Sequence, residues 1–320
     1  MAQATQLPEQ RTQTNPIDRV VQSRPPAAGS IIRPAMRANA YRLAMRVLPL
    51  IPPPFAYWFC ERLSLLGQRV SVWPRVQRNL GYVVPGETPS TYRRLGLAVM
   101  AGLLKNYYDL LRSHAVSAAE LAETVETRGL DNLLAALARG KGVLVAVPHM
   151  GNVQLAAEPI VARVNTPILT IVEKMQDPAI HAIMNGLRRR ENVSVVEIGP
   201  ESAREVVRTL RAGNIVVLAS DRTVAGATVE VKFFGATARV PSGPALLALR
   251  TGASLLTAYT YRQPDNRSVV VVDPPLVPER TGDLQADVQR TMQAVMYVLE
   301  SYIRSRPAQW LMTESVWVDE

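Results

Sequence analysis

The 320-residue sequence predicts an α/β fold in which a mostly parallel central sheet is flanked by helices. Short β-branched, apolar runs recur in the second half of the chain, and segments with helical patterning lie between several of them, an order typical of parallel sheets. These runs are continuous rather than alternating, as expected for strands that helices cover on both faces. The amino-terminal third lacks such runs, and its pattern of apolar residues predicts a separate helical region.

The first segment of the chain, residues 1–36, is polar and rich in Gln, Thr, Pro and Arg, without an apolar period. We predict that it is a disordered basic tail and that residues 37–320 form a single domain. We see no basic stretch followed by an apolar core and a cleavage site, so we expect no secretory signal. The single cysteine, Cys60, excludes an internal disulfide framework and suits a reducing compartment.

Residues 37–66 predict two short amphipathic helices around a proline-rich turn. The stretch from Val47 to Cys60 is free of charge, but it has 14 residues and four prolines, whereas a spanning helix needs about 20 apolar residues. Basic residues beside Trp, Phe and Tyr fit an element that lies in a membrane interface. A helical pair packed on the domain core explains the pattern equally well. A long apolar-rich helix at 89–112 completes a helical, membrane-facing part, residues 37–112.

The charge of the chain is concentrated at its amino-terminal end. Residues 1–112 carry 15 Lys/Arg and 5 Asp/Glu, a net of +10, whereas residues 113–320 carry 21 and 22, a net of −1. This asymmetry indicates either an anionic partner, such as a membrane surface or a nucleic acid, or a solvated basic face. Few aromatic residues interleave with the basic residues of the tail, and no recognition motif appears. We therefore expect an anionic membrane surface as a partner and no nucleic acid.

The remaining elements follow in order. Residues 117–139 contain two helical patterns, the first from Ser117 to about Thr124 with a capping-box spacing to Glu120, and the second ending at Gly140. An α/β part covers residues 141–280. Its predicted strands are 142–148, 167–173, 193–198, 214–220, 253–261 and 268–277. Its predicted helices are 152–163, 178–190, 201–212 and 242–251, and a final helix covers 284–306.

Two polar residues, His149 and Asp221, directly follow predicted strands, and ligands of open α/β sheets lie at the carboxyl ends of strands. A neutral imidazole can accept a proton from a hydroxyl if a partner, usually a carboxylate, fixes its other nitrogen. If both strands lie in one parallel sheet, Asp221 can serve as this partner. If the chain turns into a helix at residue 151, Gln154 lies one turn along and can orient the ring by hydrogen bonding, but it offers no charge. Taken alone, His149 is better explained as a structural hydrogen-bonded residue, and Asp221 as an N-cap or a surface ion pair. The occurrence of both at strand ends favours a functional pair.

Several sequence blocks carry a family resemblance. "VPHMGNVQ", the later "SDRTVAGATVEVKFFGATARVPSGP" and the carboxyl-terminal "RPAQWLM" resemble the lysophospholipid acyltransferase superfamily, nearest to the lipid A (lauroyl-type) and phosphatidylinositol mannoside acyltransferases. The resemblance covers roughly residues 40–318. The matching residues are His149, Gly151, Asn152, Asp221, Arg222, Phe233, Phe234, Gly235, Pro241, Gly243 and Pro244.

The resemblance implies transfer of an acyl group from a thioester, acyl-CoA or acyl carrier protein, to a hydroxyl of a membrane (glyco)lipid. It implies His149 as general base, Asp221 as its orienting carboxylate, and neither a cofactor nor a metal. The enzyme would be peripheral, on the cytoplasmic face of the plasma membrane. A backbone N–H near Gly151 or Gly243 could stabilise the oxyanion. The predicted substrate-binding residues are Gly151, Asn152, Gln154, Glu173, Arg222, Arg239 and Gly243.

Gln154 departs from the family motif, which has Asp or Glu five positions after the histidine. Two explanations follow. Asp221 is the main carboxylate and Gln154 only holds a conformation, or the chain is a weak or inactive relative that binds lipid without turning it over. We prefer the first explanation, because the block around Asp221, which an idle copy could lose freely, is largely intact.

Overall fold

The computed structural model describes residues 32–318. Most of the predicted tail, residues 1–31, lies outside the described residues. The last residues of that segment, 32–36, form the start of the first helix, which therefore begins earlier than the sequence pattern indicated. Pro34 lies in the first turn of this helix, where its missing N–H costs no intrahelical hydrogen bond.

The amino-terminal part consists of four helices: α1 (Ile32–Val47), α2 (Pro53–Ser64), α3 (Trp73–Val83) and α4 (Pro89–Arg112). The first two are the predicted pair, and a short 3₁₀ turn over Leu48–Leu50 separates them where the prolines exclude a continuous helix. The α4 helix has the predicted bounds and packs against both α2 and α3. The sequence pattern did not predict α3.

Seven strands form the main sheet, and its order is β1-β9-β8-β2-β5-β3-β4. All neighbours are parallel except β8 and β9, which form an antiparallel pair. The predicted mostly parallel sheet is therefore confirmed. Its strands are β1 (Val125–Arg128), β2 (Val143–Val147), β3 (Ile168–Val172), β4 (Val193–Glu197), β5 (Ile215–Ala219), β8 (Ser254–Arg262) and β9 (Ser268–Val272).

Three strands were not predicted from the sequence. The β1 strand is a four-residue edge strand with little apolar character, and it lies between two correctly predicted helices. The other two, β6 (Thr228–Phe233) and β7 (Ala236–Pro241), form a separate antiparallel hairpin. The β9 strand is also shorter than predicted, since it ends before Pro274 and Pro275, which cannot donate to a ladder.

Helices cover both faces of the sheet. Leu144 and Ala146 of β2 belong to one apolar cluster, whereas Val143, Val145 and Val147 belong to another, so the two clusters lie on opposite faces. No described helix is both long and apolar enough to cross a membrane. The remaining helices are α5 (Ala118–Thr124), α6 (Leu130–Ala138), α7 (Val153–Val164), α8 (Pro178–Arg188), α9 (Pro200–Arg211), α10 (Gly243–Thr251) and α11 (Leu284–Ser305).

The register of the central strands determines where the candidate site lies. The β2 and β5 strands are parallel neighbours, and Val147 pairs with Ala219 at their carboxyl ends. The residues that follow these two positions therefore emerge side by side at one edge of the sheet. His149 and Asp221 are those residues, each two positions beyond its strand.

Candidate active site

His149 and Asp221 form a direct pair at the edge of the sheet. Nδ1 of His149 lies 2.7 Å from Oδ1 of Asp221. The carboxylate can only accept here, so Nδ1 carries the proton and Nε2 is left as the acceptor nitrogen. The Asp221 side chain is 0 % exposed, whereas the His149 side chain is 38 % exposed. The ring therefore joins a buried carboxylate on one side to an open cleft on the other.

The Asp221 carboxylate receives two further hydrogen bonds, both at Oδ2. The backbone N–H of His149 donates to it at 2.8 Å, and the indole Nε1–H of Trp310 donates at 2.8 Å. A fully buried carboxylate is stable only when such donors replace its water shell. The three donors hold the carboxylate in one orientation against the imidazole.

The pKa values of the two groups shift in opposite directions. Burial alone would lower the pKa of His149, but the Asp221 carboxylate beside Nδ1 outweighs burial and holds that pKa above its ordinary value. Burial alone would raise the pKa of Asp221, but His149 and the indole of Trp310 hold it below its ordinary value. Each group thus favours the charged state of the other.

The turn that carries His149 is fixed by its backbone. Gly151 has φ +60, and a Cβ there would come within 2.3 Å of the carbonyl oxygen of Thr260, so this close approach requires glycine. The Gly151 N–H donates to the Gln309 carbonyl at 3.1 Å, and the Leu311 N–H donates to the His149 carbonyl at 2.8 Å. Since the Gly151 N–H is already bonded, it is not free to meet an oxyanion as the sequence suggested.

A cleft of about 350 Å³ opens beside the His149 ring. Glu173 and Arg222, two of the predicted substrate-binding residues, line it and form an ion pair of 2.7 Å between Oε2 and Nη2. The opposite wall is the segment after α11. The full lining is His149, Glu173, Arg222, Leu311, Met312, Thr313 and Glu314.

Asn152 belongs to a buried polar network rather than to the cleft wall. Its Nδ2 donates to Oδ2 of Asp109 at 3.0 Å, and its Oδ1 accepts the Leu155 N–H at 3.4 Å, which caps α7. Arg262 donates to the same Oδ2 at 2.6 Å, and Tyr57 donates to Oδ1 at 2.7 Å. Asn152 therefore fixes the start of α7.

Gln154 does not face His149. It lies exposed on the first turn of α7, and it lines a separate small cavity with Glu158 and Arg188, among others. No hydrogen bond joins it to His149 among residues 32–318. The expected approach fails because α7 begins only at Val153, after the Gly151 turn has redirected the chain.

Two other predicted site residues also lie away from the cleft lining. Arg239 of β7 pairs across the hairpin with Glu230 of β6 at 2.9 Å, and both side chains are exposed. This pair is an exposed cross-strand contact. Gly243 is the first residue of α10, and it does not line the cleft.

Sequence reasoning missed several residues that hold the site together. Trp310 lay in a recognised block but had no assigned contact, and Asp109 and Arg262 carried no signal of their own. His181 is also buried, with Nε2 2.7 Å from Oε1 of Glu197 and Nδ1 accepting the Met175 N–H at 3.2 Å. Each of these residues contacts a partner remote in sequence or in the next loop, which periodicity does not reveal.

This geometry can perform general-base chemistry on a hydroxyl. The free Nε2 can accept a proton, and the Asp221 carboxylate stabilises the imidazolium that forms. The lone cysteine, Cys60, is buried in α2, and burial raises the pKa of its thiol, so it is a poor nucleophile. The arrangement of the described residues therefore suits direct transfer of an acyl group to a hydroxyl, without a covalent intermediate on Cys60.

Comparison with known proteins identifies the family of the chain. Residues 34–318 match the model of the bacterial lipid A biosynthesis acyltransferases. The chain is 28 % identical over 250 residues to a phosphatidylinositol mannoside acyltransferase of Mycolicibacterium smegmatis, covering 76 % of this chain and 79 % of the relative. It is 28 % identical over 249 residues to the enzyme of that name from Mycobacterium tuberculosis, covering 76 % and 77 %. The chain therefore belongs to the bacterial lipid A biosynthesis acyltransferase family and is an acyltransferase.

Proposed function

We propose that this acyltransferase moves a fatty acyl group from acyl-CoA or acyl carrier protein to a hydroxyl of a membrane glycolipid. The observation that carries the proposal is the His149–Asp221 pair, which leaves Nε2 of His149 open to a cleft. Two relatives are named for an acceptor of this kind, a phosphatidylinositol mannoside. A glycolipid acceptor presents its hydroxyl beside an anionic head group.

The proposed reaction needs only the two substrates. Nε2 of His149 takes the proton of the acceptor hydroxyl as the oxygen attacks the thioester carbonyl carbon, and a tetrahedral oxyanion forms. When this intermediate collapses, the C–S bond breaks and the imidazolium returns its proton to the leaving sulfur. Asp221 balances the imidazolium charge throughout. Arg222 lines the cleft and is the cation best placed to meet the oxyanion.

The proposed place of action is the cytoplasmic surface of the plasma membrane. Phe55, Trp58 and Phe59 of α2 are 58 %, 49 % and 52 % exposed, and Leu50 beside them is 80 % exposed. The exposed Arg62 lies over the Trp58 ring at 5.6 Å. Aromatic and basic side chains together favour the interface of an anionic leaflet. This surface supports peripheral docking.

The test is transfer of radiolabelled palmitate from palmitoyl-CoA into a total lipid extract by purified protein. We expect label in a glycolipid with the wild type and almost none with His149→Ala or Asp221→Asn. Exposed Arg239→Gln is the matched control and should retain full transfer. If the wild type transfers no label with either CoA or carrier-protein donors, the chain is instead a lipid-binding relative, the alternative that Gln154 raises.

A further inference from the structure

The α2 helix has two faces with different tasks. Phe55, Trp58 and Phe59 point to solvent, as the exposed fractions above show. Tyr57, between them in sequence, points inward, and its hydroxyl donates to Oδ1 of Asp109 at 2.7 Å. Burial and the Asp109 carboxylate raise the pKa of Tyr57, so the hydroxyl stays protonated and keeps donating at every physiological pH.

Asp109 lies on α4 and is buried, yet it has no place in the proposed chemistry. Its other oxygen, Oδ2, accepts from Nη2 of Arg262 at 2.6 Å and from Nδ2 of Asn152 at 3.0 Å. Because a buried carboxylate must keep its donors, movement of one partner disturbs the others. Asp109 thus ties α2 to the start of α7.

Two asparagines, Asn106 and Asn152, extend this hydrogen-bond network to residues 149–152, which we call the His149 turn. Asn152 is the N-cap of α7 and directly follows Gly151. Asn106 of α4 donates from Nδ2 to the Gly151 carbonyl at 2.5 Å, and its Oδ1 accepts from Arg262 at 3.2 Å. Gly151 and Asn152 are therefore hydrogen-bonded to α4. Through Asp109 they are also connected to Tyr57 of α2.

A second polar contact stiffens the link between α2 and α4. Nζ of Lys105 lies 2.7 Å from Oε1 of Glu61, and the Lys105 side chain is largely buried. Glu61 is one helical turn beyond Tyr57, and Lys105 is one turn before Asp109. Two contacts spaced by a turn on both helices hold α2 in register with α4, so that a shift of α2 carries α4 and its Asn106 with it.

We propose that Asp109 is a positioning residue that couples the seating of α2 on a lipid surface to the geometry of the His149 turn. A lipid surface would then accelerate the chemical step as well as concentrate the enzyme. The proposal rests on the proposed function, since it assumes both His149 chemistry and membrane docking. Its physical basis is that a bilayer fixes the outer face of α2, which orders the Tyr57–Asp109–Asn152 chain, and misplacement of a reacting group by about 1 Å costs roughly 100-fold in rate.

The test separates chemistry from acceptor binding by using water in place of the acceptor. Hydrolysis of palmitoyl-CoA to palmitate and free CoA is measured with and without vesicles of phosphatidylcholine and a minor fraction of phosphatidylglycerol. We expect the vesicles to raise wild-type kcat roughly tenfold, the effect of one hydrogen bond to a charged group. Tyr57→Phe should bind the vesicles as the wild type does, with a similar KM, but lose most of the rise in kcat.

Tyr92→Phe is the matched control. The Tyr92 hydroxyl donates to the Val84 carbonyl at 2.9 Å within the same helical part, but it does not reach Asp109. Its variant should be stimulated as the wild type is. Equal stimulation of both variants overturns the proposal. Wild type that binds vesicles without acceleration also overturns it, while the transfer assay with His149→Ala still decides the proposed function.

A measurement on the unmodified chain keeps the proposal testable if Tyr57→Phe fails to fold. Hydrogen exchange of the wild type is followed with and without the same vesicles. Vesicles should slow exchange over residues 150–155, at the turn and the start of α7, as well as over α2. Protection of α2 alone, with unchanged exchange at the turn, contradicts the coupling.

Discussion

His149 owes its suitability as a base to the residue beside it. The Asp221 carboxylate is fully buried and has three donors, one from the ring, one from the His149 backbone and one from Trp310. These contacts fix the tautomer that leaves Nε2 unprotonated. They also hold the imidazole ring in one orientation before proton transfer, so that no orientational entropy is lost during that step. The charge of the pair is thus arranged before the substrate arrives.

The pH dependence of the reaction tests the role of Asp221. A base must be neutral, so kcat/KM should rise with pH through the pKa of His149, which lies above the ordinary value of about 6.5 because of Asp221. In Asp221→Asn the lowering effect of burial remains without the carboxylate, so the acidic limb should move to lower pH. The maximal rate should fall by about 10⁴-fold, as for loss of a triad carboxylate. An acidic limb that stays in place would contradict this electrostatic role.

Gln154 provides the second prediction. Its side chain lies exposed on α7 and lines the cavity near Arg188, so a carboxylate placed there would not touch His149. We expect Gln154→Asp to change transfer by less than about threefold, since exposed charges interact weakly in water. The assay is transfer at saturating donor. A gain of activity from near zero would show instead that the family carboxylate is missing from the chemistry of this chain.

Site residues that directly follow a strand could be predicted from the sequence, whereas pairs of residues far apart in the chain could not. His149 and Asp221 follow continuous apolar runs, so strand order alone brings them to one edge. Trp310 and Asp221 are 89 positions apart, and Asp109 and Arg262 are 153 apart. A single sequence contains no signal for such pairs, because they depend on how helices and the carboxyl-terminal segment pack across that edge.

Residues 309–311, which follow α11, form hydrogen bonds to the candidate site, and we call this segment the brace. Gln309 accepts the Gly151 N–H with its carbonyl, and its side chain bonds both the N–H and the carbonyl of Arg262, at 2.7 and 2.8 Å. Leu311 and Trp310 then contact the His149 carbonyl and the Asp221 carboxylate. This short segment lines the cleft and connects it to the end of β8.

Trp310→Phe tests this brace. The change keeps an aromatic ring but removes the indole N–H that Asp221 accepts, and a hydrogen bond to a charged group contributes about 1.5–3 kcal/mol. We expect kcat to fall roughly tenfold or more. Trp317→Phe is the control, because Trp317 is also buried and its indole donates to the Phe233 carbonyl at 2.8 Å. Both variants lose one buried indole hydrogen bond, and equal activity loss in both would contradict a specific role for Trp310.

Helices and strands with a clear apolar pattern were predicted correctly, whereas the polar β1 strand was not. All six predicted strands and the helices flanking them are present, because long apolar runs and caps determine them locally. The predicted capping box exists, with the Glu120 N–H bonded to Oγ of Ser117 at 3.2 Å. The β1 strand has only four residues, two of them charged, and it is a strand because β9 offers an edge. Such a strand is defined by its neighbour rather than by its own residues.

The amino-terminal part differs from the rest of the chain in its charge and in its exposed apolar side chains. The basic excess lies in residues 1–112, whereas residues 113–320 carry a net charge of −1. The same amino-terminal part carries most of the large exposed apolar side chains among the described residues. Since each basic residue near an anionic leaflet contributes about 1 kcal/mol, basic and exposed apolar side chains of this part would favour the same membrane surface.

Binding to vesicles tests whether this surface docks. Replacement of Trp58 and Phe59 together by serine removes two half-exposed aromatic side chains, each of which contributes up to about 1.5–3 kcal/mol when lipid buries it. We expect vesicle binding, measured by co-sedimentation, to weaken by roughly tenfold or more. The control is Tyr297→Ser on α11, which is 58 % exposed but lies outside the basic region. If both variants bind anionic vesicles as the wild type does, the outer face of α2 does not contact the membrane, and its apolar residues need another partner.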